Sequence, residues 1–443
     1  MDGHGTHKRE AGRTGTRLGR LHSLTAQRPR ADEAHNLKAI GRMLIIVCIC
    51  AAFVLGFLVR GDQALLKGIG LESFVAKPAD KTGPSLPDGS EDSLGPRFAE
   101  IEALLQKEAF DSFDLDEATA ELMVALSYAA HDEYLRYYSA ERYAAYVQES
   151  AGEYAGIGAL FSEKGGRAYV VDVFPGSSAM MAGVEVGDFV VSIDGDRSQD
   201  WSLTEVVNAL SRSEGASVVI TWRRPASLED IGGEELTTTL ACSDYNEPNV
   251  ISKLYGRVGY ITIRQLTQNS AELTGKAVKA LSDQGALSFV LDMRDNPGGY
   301  LSQAVDIASL FVKSGVLVSI QTKEERATTK TATGSVVTDK PLVVLVNGNT
   351  AAAAEVLAAA LQDNRRAQVV GQKTLGKGSV QVIRPLSFGG ALRYTAAYYK
   401  GPTGREIDGL GVLPDIAVEQ SLAVPEDTQK NLAIETAQSL IAS

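Results

Sequence analysis

Three cysteines in 443 residues leave little room for sulfur chemistry. Cys48 and Cys50 fall within one apolar run, so Cys242 stands alone in the rest of the chain. Neither an intramolecular disulfide there nor a cysteine-based metal site can be assembled. Histidine is as scarce: His4, His7, His22 and His35 precede that run, and His131 is the only one after it. A histidine-rich metal centre is thereby excluded, and a Ser-His-Asp or Cys-His hydrolase would rest on His131 alone. No metal and no cofactor are expected. Long hydrophobic runs are rare too, and the exception is MLIIVCICAAFVLGFLV at residues 43–59.

What is present begins with charge. The net charge is −12, yet the first 42 residues carry Lys8, Arg9, Arg13, Arg17, Arg20, Arg28, Arg30, Lys38 and Arg42. A basic stretch could meet nucleic acid, but set directly before an uncharged run it marks the cytoplasmic side of a membrane. The run is at the lower edge of the roughly 17–25 residues that span a bilayer, and the leader is long for a cleaved signal peptide. The expectation is a basic cytoplasmic tail at residues 1–42 and an uncleaved transmembrane signal anchor at 43–60. The chain would then sit in the cell membrane as a single-pass protein with its bulk extracytoplasmic and no nucleic acid partner.

Residues 61–95 are rich in Pro, Gly, Ser and Asp and read as a flexible linker. Residues 96–153 read as a helical region. Ile101, Leu104 and Leu105 form one stripe, Leu122, Met123, Leu126 and Tyr128 another, and the tyrosines from Tyr134 to Tyr146 are expected to pack between helices. From Tyr154 the pattern shortens to strands and glycine turns. After residue 243 strands alternate with amphipathic helices, which implies an α/β core. The fold class expected is α+β multidomain.

One stretch of that core stands out. PLVVLV at 341–346 reads as a buried strand. Asn347, Asn349 and Thr350 supply turn and N-cap chemistry, and an Ala/Leu-rich helix follows over 351–361. A strand turning sharply into a helix displays free N–H groups and a positive dipole at the sheet end, which suits a nucleophile and an oxyanion hole.

The segment VNGNTAAAAEVLAAALQD, with the downstream VVGQKTLGKGSVQ, resembles the core motif of the carboxyl-terminal processing (tail-specific) proteases, the S41 serine peptidases. The resemblance runs from about residue 98 to 419 and includes RDNPGG at 294–299 and the closing GPTGREIDGLGVLPD. It implies a Ser-Lys dyad with Lys377 as base and Gln381 as its orienter. The oxyanion hole would draw on the N–H groups of Gly298 and Ala353. The glutamate of the motif is Glu355, which puts the nucleophile position at Ala352, where the family carries serine.

Residues 154–243, with AGVEVGDFVVSIDG, resemble a PDZ domain. That likeness implies that Gly156, Ile157, Gly158 and Ala159 offer N–H groups to a peptide carboxylate, and that the peptide adds as a strand. An S41 peptidase core at 244–424 and a C-terminal helix at 425–443 complete the expected domains. The partners expected are unstructured polypeptide C-termini, and a homodimer stays open.

A lysine acts as base only when neutral, which burial among apolar groups favours, and Val369, Val370 and Val380 flank Lys377 in sequence. Base, orienter and oxyanion turn are all written, and the hydroxyl is absent. Three readings follow: a pseudopeptidase that binds polypeptide tails, an active endopeptidase recorded with Ser→Ala at 352, or an enzyme using Thr350. Ser379, two residues past Lys377, lies about 6–7 Å along a strand and is badly placed to substitute.

Overall fold

The computed structural model describes residues 94–149, 156–245, 248–324, 327–420 and 426–441. The basic tail, the apolar run and nearly all of the linker lie outside the described residues. Among the described residues no helix is long and apolar enough to cross a membrane.

Helices α1 (Leu94–Glu108) and α2 (Leu115–Ala129) lead the described chain. The stripe on α1 meets no core: none of its residues is buried, and Phe98, Ile101, Leu104 and Leu105 are all exposed. The helical expectation fails after α2, where β1 (Arg136–Tyr138) precedes α3 (Ala140–Glu149). In β1 Arg136 lies opposite Arg393 and Tyr138 opposite Ala391. Adjacent tyrosines fit a strand as soon as a distant partner offers an edge, and local periodicity carries no sign of that partner.

The next elements are β2 (Ala159–Lys164), β3 (Arg167–Val173), α4 (Ser178–Met181), β4 (Phe189–Ile193), α5 (Leu203–Ala209), β5 (Ser217–Arg224) and β6 (Glu234–Ala241). Their antiparallel sheet has the order β2-β3-β4-β5-β6, so β2 is an edge strand. Ile157, Val170, Ile193, Val206, Trp222 and Leu240 fill its core. A capping box starts α5: the Ser202 hydroxyl accepts from the Glu205 N–H while the Glu205 carboxylate accepts from the Ser202 N–H.

The larger body contains β7 (Val250–Tyr255), β8 (Val258–Ile263), α6 (Ser270–Asp283), β9 (Ser288–Asp292), α7 (Leu301–Ser309), β10 (Val316–Thr322), β11 (Ala327–Thr331), β12 (Leu342–Val346), α8 (Ala353–Asp363), β13 (Gln368–Gly371), β14 (Ser379–Pro385), β15 (Ala391–Lys400), β16 (Ile416–Ala417) and α9 (Thr428–Ser439). One sheet runs β16-β13-β12-β9-β8-β7, with β8, β9, β12, β13 and β16 parallel. Every residue of β9 and β12 is buried, as strands covered on both faces must be, and β12 is apolar throughout. Helices α6, α7 and α8 cover one face, and Ala433 and Ala437 of α9 pack on the other. A second sheet has the order β1-β15-β10-β11, with β14 paired to β15. The carboxyl ends of β9 and β12, adjacent in the first sheet, open onto the candidate site.

Candidate active site

Beyond β12 the chain turns abruptly into α8, and Ala352 is the N-cap, with φ 51° and ψ −120°. Such a conformation costs a non-glycine residue about 1–3 kcal/mol and persists only where its surroundings impose it. Four hydrogen bonds do so. The Ala351 N–H donates to the Asn296 carbonyl at 2.9 Å, and the Ala352 N–H to Glu355 Oε2 at 2.9 Å. The Thr350 hydroxyl, fully buried, donates to the Met293 carbonyl at 2.8 Å and accepts from the Asn347 N–H at 3.0 Å. Thr350 is therefore not the helix cap expected of it. Its hydroxyl ties the elbow to the strand beside it.

The turn after β9 lies against this elbow. A Cβ at Gly298, whose φ is +96°, would come within 2.8 Å of the Ala351 carbonyl oxygen and 3.0 Å of the Ala353 nitrogen, so only glycine fits. Gly298 and Ala353 are thus brought together. Among the described residues no acceptor takes the Ala353 N–H, whereas the Gly298 N–H donates to Asn296 Oδ1 at 2.9 Å. Arg294 anchors the turn from behind. Its guanidinium donates to both oxygens of Asp292 and both of Asp427, the N-cap of α9, over 2.8–3.0 Å.

Glu355 joins elbow and lysine loop. Its Oε2 accepts from the Lys377 N–H at 2.8 Å as well as from Ala352, and its Oε1 accepts from the Gly376 N–H at 2.7 Å and from the Thr374 hydroxyl. Burial pushes this carboxyl up to about 7 against those four donors.

The Lys377 side chain does not sit among valines. Its Nζ donates to Glu163 Oε2 at 2.8 Å, and the same carboxylate accepts from Arg393 at 2.6 and 2.8 Å. All three side chains are more than nine-tenths buried. Burial alone would raise Glu163, but the two cations outweigh it and hold the carboxyl at about 2. The Tyr134 ring lies beneath both, 5.6 Å from Lys377 Nζ and 5.8 Å from the Arg393 guanidinium. Gln381, expected to orient the lysine, donates instead to the Ser379 hydroxyl at 2.9 Å. His131 is exposed and joins none of these bonds among the described residues.

On the smaller domain Gly156, Ile157, Gly158 and Ala159 are all buried. The Gly156 N–H donates to the Ser243 carbonyl, and Gly158, at φ +78°, packs on Ser177. Among the described residues no acceptor takes the N–H of Ile157 or of Gly158. Sequence reasoning missed Glu163 and Arg393. Their signal was a charge at an inward position of a strand: Glu163 follows Ala159 and Phe161 at a period of two, and Arg393 follows Ala391.

The profile of Peptidase family S41 matches residues 257–418, and that of the PDZ domain matches residues 169–224. A carboxy-terminal-processing protease of Bartonella bacilliformis is 33% identical over 298 residues, covering 66% of this chain and 67% of that one. A carboxyl-terminal-processing protease of Picosynechococcus is 34% identical over 307 residues, covering 69% of this chain and 73% of that one. The chain belongs to the carboxyl-terminal-processing proteases. Among solved structures, the photosystem II D1 C-terminal processing protease superposes with a TM-score of 0.59 at 29% identity, covering 73% of this chain and 86% of that one. In this member of the family the elbow, the Gly298 turn and Lys377 all fall inside the peptidase match. Residues 156–163, by contrast, lie just ahead of the PDZ match.

Proposed function

We propose that this chain is a membrane-anchored carboxyl-terminal-processing protease homologue that captures polypeptide C-termini through its PDZ domain and does not cut them. The observation that carries the reading is Ala352, a methyl group on a strained elbow beside Gly298 and the Lys377 loop. Acyl transfer needs a nucleophilic atom there, and removing one costs about a million-fold in a comparable serine protease while leaving binding. The acceptor-free N–H groups of Ile157 and Gly158 support carboxylate capture. Residues 43–60 provide the anchor.

The retained elbow also favours a second reading, an endopeptidase whose natural chain carries serine at 352. Sequencing codon 352 at its source separates the two. The pseudopeptidase reading is tested with an unstructured protein substrate. The chain as written should not cleave above background, Ala352→Ser should gain cleavage, and Ala352→Ser with Lys377→Ala should lose it. Cleavage by the unaltered chain that survives Lys377→Ala would overturn the assignment of the site.

A further inference from the structure

The tail groove and the lysine share one residue. β2 starts where the loop bearing the N–H groups of Ile157 and Gly158 ends, and among the described residues no strand pairs with its outer edge and no acceptor takes those N–H groups. Ala159, Phe161 and Glu163 occupy its inward positions and all are buried. A polypeptide tail adding antiparallel to β2, its carboxylate on that loop, keeps step with the strand at about 3.4 Å per residue. Its last residue comes level with Ala159, and the residue four positions earlier comes level with Glu163.

That end of the groove holds two buried carboxylates, and their counterions come from outside the PDZ domain. Glu163 is neutralised by Lys377 and Arg393, and Glu205, in the first turn of α5, by Arg142 of α3 at 2.7 Å. A buried carboxylate stripped of a cation is costly, so only an incoming cation can take over the position of Lys377 without leaving Glu163 short of one. Arg393 keeps its own two bonds in that exchange. A neutral side chain would leave Lys377 in place, and so would an acidic one, which brings no cation to Glu163.

We infer that the groove selects polypeptide tails carrying lysine or arginine four residues before the last, the tail's cation replacing Lys377 on Glu163. The inference rests on the tail-binding reading above. It makes Glu163 a specificity-determining residue, and a tail that fits is one that frees the lysine.

The test is fluorescence polarisation on the full chain in detergent, with labelled ten-residue peptides bearing Lys, Ala or Glu at that position, each as free acid and as amide. Free acids should bind, with Lys favoured over Ala and Glu by about tenfold, the scale of one desolvated charge pair. The Lys preference should vanish in Glu163→Gln. In Lys377→Met, which removes the competitor, the Lys peptide should bind more tightly while the Ala peptide does not change. Free acids that bind while amides do not, with no difference among Lys, Ala and Glu, would overturn this inference and leave the tail-binding reading standing. Equal binding of acid and amide would overturn that reading, and this inference with it.

Discussion

At the scale of single residues, two carboxyls displaced in opposite directions set how stability follows pH. Glu163 lies below its usual 4.5, at about 2, so its contribution is complete above pH 4.5 and fades as pH falls towards 2. Glu355 lies above its usual 4.5, at about 7, so its contribution is complete below pH 4.5 and fades as pH rises through 7. Urea midpoints measured against pH should therefore show Glu163→Gln removing part of the acid-side loss and Glu355→Gln flattening the neutral side. Parallel shifts at every pH in either variant would refute the corresponding assignment. Only part of this chemistry was legible beforehand. Ala352, Lys377 and Gly298 stand in motifs whose order carries information. Glu163 and Arg393 meet across more than two hundred residues, and nothing local announces such a meeting.

At the scale of elements, the decisive contact is between the Glu163 side chain of β2 and two cations, Lys377 of the loop before β14 and Arg393 of β15. Three charges are buried in it, and a buried ion pair stabilises little over apolar packing, yet is costly to break from one side. Glu163→Ala leaves Lys377 and Arg393 without their carboxylate and should cost about 3–5 kcal/mol. Replacing all three with methionine should recover most of that loss, as read by chemical denaturation. A single variant as stable as the parent would mean that the charges escape to solvent. The strands of the parallel sheet could be read from sequence because both faces are covered and their central residues are apolar, β12 from end to end. β1 could not, since its tyrosines become a strand only against Arg393 and Ala391. The apolar stripe on α1 misled in the other direction: its spacing is helical, and it packs on nothing among the described residues.

At the scale of the whole molecule, the proposed topology puts residues 1–42 inside and everything after the anchor outside. A phosphatase reporter fused after residue 95 should be active, because positive charge before an apolar run holds that end in the cytoplasm. A fusion active only as a cytoplasmic reporter would reverse the topology. Sequence gave this expectation through composition alone, whereas the domain order was readable from a change in period at Tyr154 and again after Ser243.

Glu355 and Thr350 carry one more consequence. They fix the elbow through bonds to Met293, Thr374, Gly376 and Lys377, all within the folded core, so the bend at residue 352 is a condition of folding and not of turnover. Selection for a stably folded chain is then enough to preserve this bend whether or not residue 352 carries a hydroxyl. Under the pseudopeptidase reading, a lineage with alanine at 352 remains a single base change from serine, and inactivation at this position would be, in heredity, reversible.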